Sequence, residues 1–64
     1  MQTIKLTNAS DGVELRIIPD HIVAYWWQEE HSVSEVVMSN NGFDISLKVK
    51  ETADEIDKLL SELP

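Results

Sequence analysis

Between Ile22 and Trp27 the chain reads Ile-Val-Ala-Tyr-Trp-Trp, the one run that is apolar at every position. A run this short and rich in β-branched and aromatic residues predicts a strand, and its place in the chain predicts the central one. Alternate residues of a strand point to opposite faces, which puts Ile22, Ala24 and Trp26 on one side and Val23, Tyr25 and Trp27 on the other. Both sides are apolar. A short chain with one helix covers one face of a sheet, so the second face calls for a partner.

The chain is 64 residues long and contains no cysteine. It is expected to form a single domain over 1–64. A domain of that size buries only about 60% of the surface its unfolded chain exposes, and oligomerisation is a common remedy. Disulfide frameworks, thiolate zinc sites and cysteine nucleophiles are excluded. Twelve acidic against five basic residues give a formal charge of −7. Lys5, Arg16, Lys48, Lys50 and Lys58 are too few for a phosphate-binding surface, so no nucleic-acid partner is expected. The opening Met-Gln-Thr-Ile-Lys-Leu-Thr lacks the apolar core of a signal peptide, and no segment approaches the roughly 18 apolar residues of a span. The expectation is a soluble, cytoplasmic protein with no membrane contact.

Along the chain, alternation predicts strands over about 2–7, 13–18, 22–27, 33–38 and 43–49 and a helix over about 53–63. Ile4 and Leu6 share a face in the first strand; Val13, Leu15 and Ile17 point inward in the second. Asn8-Ala-Ser-Asp-Gly12 is turn chemistry that makes these two a hairpin. Pro19 has no N–H to donate and ends the second strand, so Pro19-Asp20-His21 turns the chain. Gln28-Glu-Glu-His-Ser32 is a polar loop. Val36, Val37 and Met38 in succession give the fourth strand apolar groups on both faces. Asn41-Gly42 suits a type I′ hairpin turn. After it Phe43, Ile45, Leu47 and Val49 are expected in the core, with Asp44, Ser46 and Lys48 in water. Thr52 and Glu55 have the spacing of a capping box, and Ala53, Ile56, Leu59, Leu60 and Leu63 form an apolar helix stripe. The fold class that follows is α+β, mostly β: an antiparallel sheet of four to five strands with one C-terminal helix packed on one face.

Chemistry-bearing groups are sparse. His21 and the Glu29-Glu30-His31 cluster have metal-ligand or acid/base potential, yet neighbours in a turn do not converge as three or four planned ligands do. The serines sit in no Gly-x-Ser-x-Gly setting, and Gly12 and Gly42 make no phosphate loop. No catalytic residue, metal ligand or cofactor is expected. Tyr25 and Trp27 are the better candidates, because aromatic residues are enriched among interface anchors. With Trp26 taken as the inward residue, Tyr25 and Trp27 form an outward pair, extended by Val36 (or Val37) and Met38 into one contact surface.

The order of signals also carries a family resemblance. Ile4-Lys5-Leu6-Thr7-Asn8, Gly12-x-Glu14, Pro19-Asp20-His21-Ile22, Val36-Val37-Met38 with Asn41-Gly42, and Val49-Lys50-Glu51-Thr52-x-x-Glu55-Ile56 together resemble the small FlbD-like flagellar and swarming-motility proteins. The likeness spans nearly the whole chain. It implies an accessory role exerted through protein contacts, and it implies no catalytic residues. A looser similarity links the chain to β-rich LytTR-type DNA-binding domains, against which the acidic balance argues. The leading expectation is a non-enzymatic, homo-oligomeric interaction module of bacterial or phage origin, with another protein as a further partner. The alternative is an oligomer that holds a small molecule such as a nucleotide between subunits, its aromatic rings stacked on the base and Arg16, Lys48 or Lys50 on the phosphate.

Overall fold

Asn41 and Gly42 both adopt positive φ (53° and 86°), the left-handed pair that a type I′ turn requires. That turn joins β4 (Val33–Asn40) to β5 (Phe43–Val49), with Asn40 opposite Phe43 and the register unbroken to Ser34 opposite Val49. A four-residue turn over 29–32 joins β3 (Ile22–Gln28) to β4. Two short connections in succession make a meander, so the sheet order is β3-β4-β5 and the middle strand is β4. The expectation that Ile22–Trp27 is central is corrected: it is a strand, but an edge strand.

The reason lies just upstream. Pro19–His21 forms a single 3-10 turn, in which the His21 N–H donates to the Ile18 carbonyl (3.0 Å). Such a turn carries the chain to a new layer where a tight hairpin would have paired β3 with its predecessor. The strands β1 (Ile4–Thr7) and β2 (Glu14–Ile17) therefore form a separate two-stranded antiparallel sheet, with Ile4 opposite Ile17 and Thr7 opposite Glu14. The computed structural model describes residues 2–63. It is a small α+β fold, mostly β, with two antiparallel sheets and one C-terminal helix, α1 (Ala53–Ser61).

The two sheets are joined where β1 ends. Asn8 bridges Val49, the Ala9 N–H donates to the Lys48 carbonyl and the Lys50 N–H to the Thr7 carbonyl, both at 2.9 Å. Glu51 locks this corner. Its carboxylate accepts from the Thr7 N–H (2.8 Å) and the Thr7 hydroxyl (2.9 Å), while its carbonyl accepts from the buried Ser34 hydroxyl (2.6 Å). One residue thus ties β1, β4 and the start of the helix together.

Helix α1 begins with the expected capping box. The Glu55 N–H donates to the Thr52 hydroxyl (3.1 Å) and the Thr52 N–H to the Glu55 carboxylate (3.0 Å). Ile56 is fully buried in one cluster with Ile4, Leu6, Ile17, Val36 and Val49, and Leu59, Leu60 and Leu63 pack on that cluster part-buried. Helix and both sheets share a single core.

That core is shorter than the sheet. A nine-residue helix is about 13 Å long, whereas a seven-residue strand spans about 23 Å. The core therefore gathers at the Val49 end of β5, and the hairpin tip runs on past it. Phe43 (76% exposed) and Ile45 (52%), both expected inside, lie at the surface, as does Val13. Leu47 is half-buried and Val49 fully buried, so cover fades along β5 toward the turn.

Three outcomes test this account. Glu51→Ala strands a backbone N–H and a hydroxyl at the sheet junction and is expected to lower the unfolding free energy by about 1–3 kcal/mol. In the same urea titration, followed by tryptophan fluorescence, Glu14→Ala should change it by less than about 0.5 kcal/mol, because the Glu14–Arg16 ion pair it removes is exposed. Gly42→Ala forces a Cβ into φ 86° and should cost about 1 kcal/mol or more.

Candidate functional site

The candidate surface residues come from β3 and β4, and a β-bulge decides where each points. Ile22 is opposite Met38, but Ala24 is already opposite Val37, so Val23 is the extra residue. A bulge of one residue moves everything beyond it to the other face. Tyr25 consequently lies opposite Val36, and Trp27 opposite Ser34, both partners being fully buried. Tyr25 and Trp27 thus share the helix-side face, and Trp26, opposite Glu35, takes the outer one. The face assignment made from alternation is corrected beyond the bulge: Tyr25 and Trp27 lie inward and Trp26 outward, while Ile22 keeps the core side and Val23 the exposed one. Nothing in an all-apolar run marks the bulge, since no polar residue reports which side is wet.

The four expected contact residues separate accordingly. Val36 is 0% exposed and belongs to the core, a correction that follows from its position in the middle strand beneath the helix. Met38 is half-buried against that core. Tyr25 is also half-buried there, and its hydroxyl donates to the Asp57 carboxylate on α1. Trp27 is 37% exposed and lines a hollow of about 300 Å³ with Thr52, Ala53 and Asp54 at the start of the helix. Tyr25 and Trp27 therefore hold β3 to α1, and the pair is a seam of the monomer before it is anything else.

The surface exposes Phe43, Ile45 and Trp26, which alternation had sent inward. On the helix side, Phe43 and Ile45 lie open beside half-buried Met38, which is directly opposite Ile45. On the outer face Trp26 (42% exposed), Glu35 and Lys48 form one cross-strand row, because Glu35 is opposite both Trp26 and Lys48. Val23 is exposed at the bulge. The helix predicted after Thr52 was too short to roof the hairpin tip, and that length was the available signal for Phe43 and Ile45.

The polar candidates do not assemble. His21 sits in the 3-10 turn and Glu29, Glu30 and His31 in the β3–β4 turn, where with Trp27 and Gln28 they rim a hollow of about 440 Å³. Among the described residues no group of three or more His, Cys, Asp or Glu side chains is placed to hold a metal ion. The cations proposed for a phosphate are dispersed. Arg16, on the two-stranded sheet, bonds Glu14 at 3.1 Å, and Lys48 lies two strands from β3 across the sheet from Trp26. No described helix is long and apolar enough to cross a membrane.

Against protein-family models, curated protein sequences and solved structures alike, the chain finds no match.

The fold raises the pKa of the Tyr25 hydroxyl, first by the hydrogen bond to Asp57, then by burial, then by that carboxylate's charge. A phenol with a raised folded-state pKa contributes stability that is fully present below its unfolded value, near 10, and is lost as pH rises through the folded value. Tyr25→Phe should therefore cost about 1 kcal/mol or less at pH 7. The difference from the parent chain in urea unfolding should stay level up to about pH 9 and close as the pH climbs past about 10. A difference that persists unchanged at high pH would sink the assignment.

Proposed function

We propose that this chain is a non-enzymatic protein–protein interaction module that works as a homo-oligomer, of the FlbD-like kind and of bacterial or phage origin, in the cytoplasm. One observation carries the reading: Phe43 and Ile45 stand open in register on a strand whose other end is the heart of the core. Large apolar side chains side by side on a small domain are a contact surface, since monomeric proteins seldom leave such groups exposed together. The core supplies a second argument, because its fully buried apolar side chains are few and modest in size. A domain with so small a core gains most from burying more surface against a partner.

The alternative, a nucleotide-holding oligomer, finds less support, because the aromatic side chains of β3 and the cations Arg16, Lys48 and Lys50 are not gathered around one hollow. An accessory role in flagellar function or swarming rests on the resemblance of the sequence signals alone. The module reading predicts concentration-dependent association. Light scattering coupled to size exclusion, over a hundredfold range of concentration, should give a mass at least twice that of the 7.3 kDa chain at the upper end. Phe43→Ser should reduce that mass while leaving the unfolding free energy, measured in urea at a concentration where both chains are monomeric, within about 0.5 kcal/mol of the parent, as expected for a side chain outside the core. A monomer at every concentration would refute the homo-oligomer.

A further inference from the structure

The free edge of β5 has the properties of a self-pairing strand, and its register can be worked out. Residues 48 and 50 turn their backbone groups away from β4, since the Lys48 carbonyl accepts from Ala9 and the Lys50 N–H donates to Thr7. Along an antiparallel strand that direction alternates, so Asp44 and Ser46 also present N–H and C=O outward. Beyond the bridge at Val49, no strand among the described residues pairs with this edge. On the helix side the same segment exposes Phe43 and Ile45 and half-exposes Leu47.

Two copies related by a two-fold axis can pair β5 with β5 antiparallel about residue 44, 45 or 46. Centring on Asp44 sets two carboxylates directly opposite each other, which is unfavourable. Centring on Ser46 brings Asp44 against Lys48, but Ala9 already occupies that position. Centring on Ile45 avoids both. Asp44 then exchanges backbone hydrogen bonds with Ser46 of the second copy, Ile45 meets Ile45, and Phe43 meets Leu47. There the hollow of about 450 Å³ bounded by Asn8, Ala9, Ser10, Ser46, Leu47 and Lys48 lies ready for the incoming ring.

Charge selects this edge over the other. In a chain of net −7, β5 carries one acid and one base, Asp44 and Lys48. The β3 edge has Asp57 on Tyr25, Asp54 beside Trp27 and Glu29-Glu30 at its end, so pairing two β3 edges would crowd carboxylates together.

We propose that the occupant of the β5 edge is a second copy of this chain, paired antiparallel about Ile45, so that the two three-stranded sheets become one continuous sheet and Phe43, Ile45 and Leu47 of both copies form its apolar seam. The proposal rests on the homo-oligomer reading and specifies its interface. Dimerisation through this edge satisfies unpaired backbone groups and covers exposed apolar side chains in a single step.

The test uses the absence of cysteine from the chain. Across a non-hydrogen-bonded antiparallel pair the Cα atoms are about 4.5 Å apart, within disulfide range. Ile45→Cys in the full chain, oxidised with glutathione disulfide at a concentration where the parent chain is a dimer, should cross-link at least about tenfold faster than Trp26→Cys, which is comparably exposed on the β3 edge. Ile45→Lys should be monomeric at that concentration with an unchanged far-ultraviolet spectrum; if it does not fold, the cross-linking comparison still decides. Equal or faster cross-linking of Trp26→Cys, with Ile45→Lys still dimeric, would overturn this interface and leave self-association standing. A parent chain monomeric throughout would overturn both.

Discussion

The carboxylate of Glu51 is the point from which the rest of the structure is held. Two sheets that share one isolated bridge have little to fix their mutual angle. Glu51 supplies it by accepting both polar hydrogens of Thr7, and its own carbonyl is held by Ser34 from the middle strand. Charge-assisted bonds to a backbone N–H are among the stronger ones available, and here they act at a corner where β1 would otherwise end unsatisfied. The next residue, Thr52, is the helix cap, so the same corner also sets where α1 starts and which way it runs. Ile56 reaches the shared core because of that placement.

The second constraint is the bulge at Val23. With it, Tyr25 and Trp27 face the helix, and their polar and aromatic ends meet Asp57 and the first turn of α1. Without it, Trp26 would have lain opposite Ser34 on that side and Tyr25 opposite Glu35 on the outer one. One inserted residue converts a candidate docking pair into a seam of the monomer. The surface left over is therefore at the other edge, on the hairpin tip that a nine-residue helix does not reach. A domain of this size has limited means of covering a long hairpin from within one chain.

Much of the architecture was legible from local chemistry. The Asn41-Gly42 turn, the Thr52/Glu55 capping box, the break at Pro19 and all five strands follow from rules that operate within a few residues, and each is present. What could not be read was which elements become neighbours beyond the two hairpins and the helix on the sheet. The position of β3 at an edge depends on a 3-10 turn diverting the chain. The burial of Val36 depends on β4 lying between two strands and beneath the helix. The corner role of Glu51 depends on Thr7, 44 residues away in the chain, arriving beside it.

By itself the sequence determined the class of the fold, the order of its elements, their caps and turns, and an acidic surface poor in cations, because these are set by nearest-neighbour backbone preferences and by composition. The tertiary structure alone decided which face of Ile22–Trp27 is inside, that two sheets form in place of one, and that Phe43 and Ile45 stand open. The physical reason is common to all three. An apolar residue specifies only that it gains from leaving water, and which surface removes it from water is a matter of register, helix length and the space left by the rest of the chain.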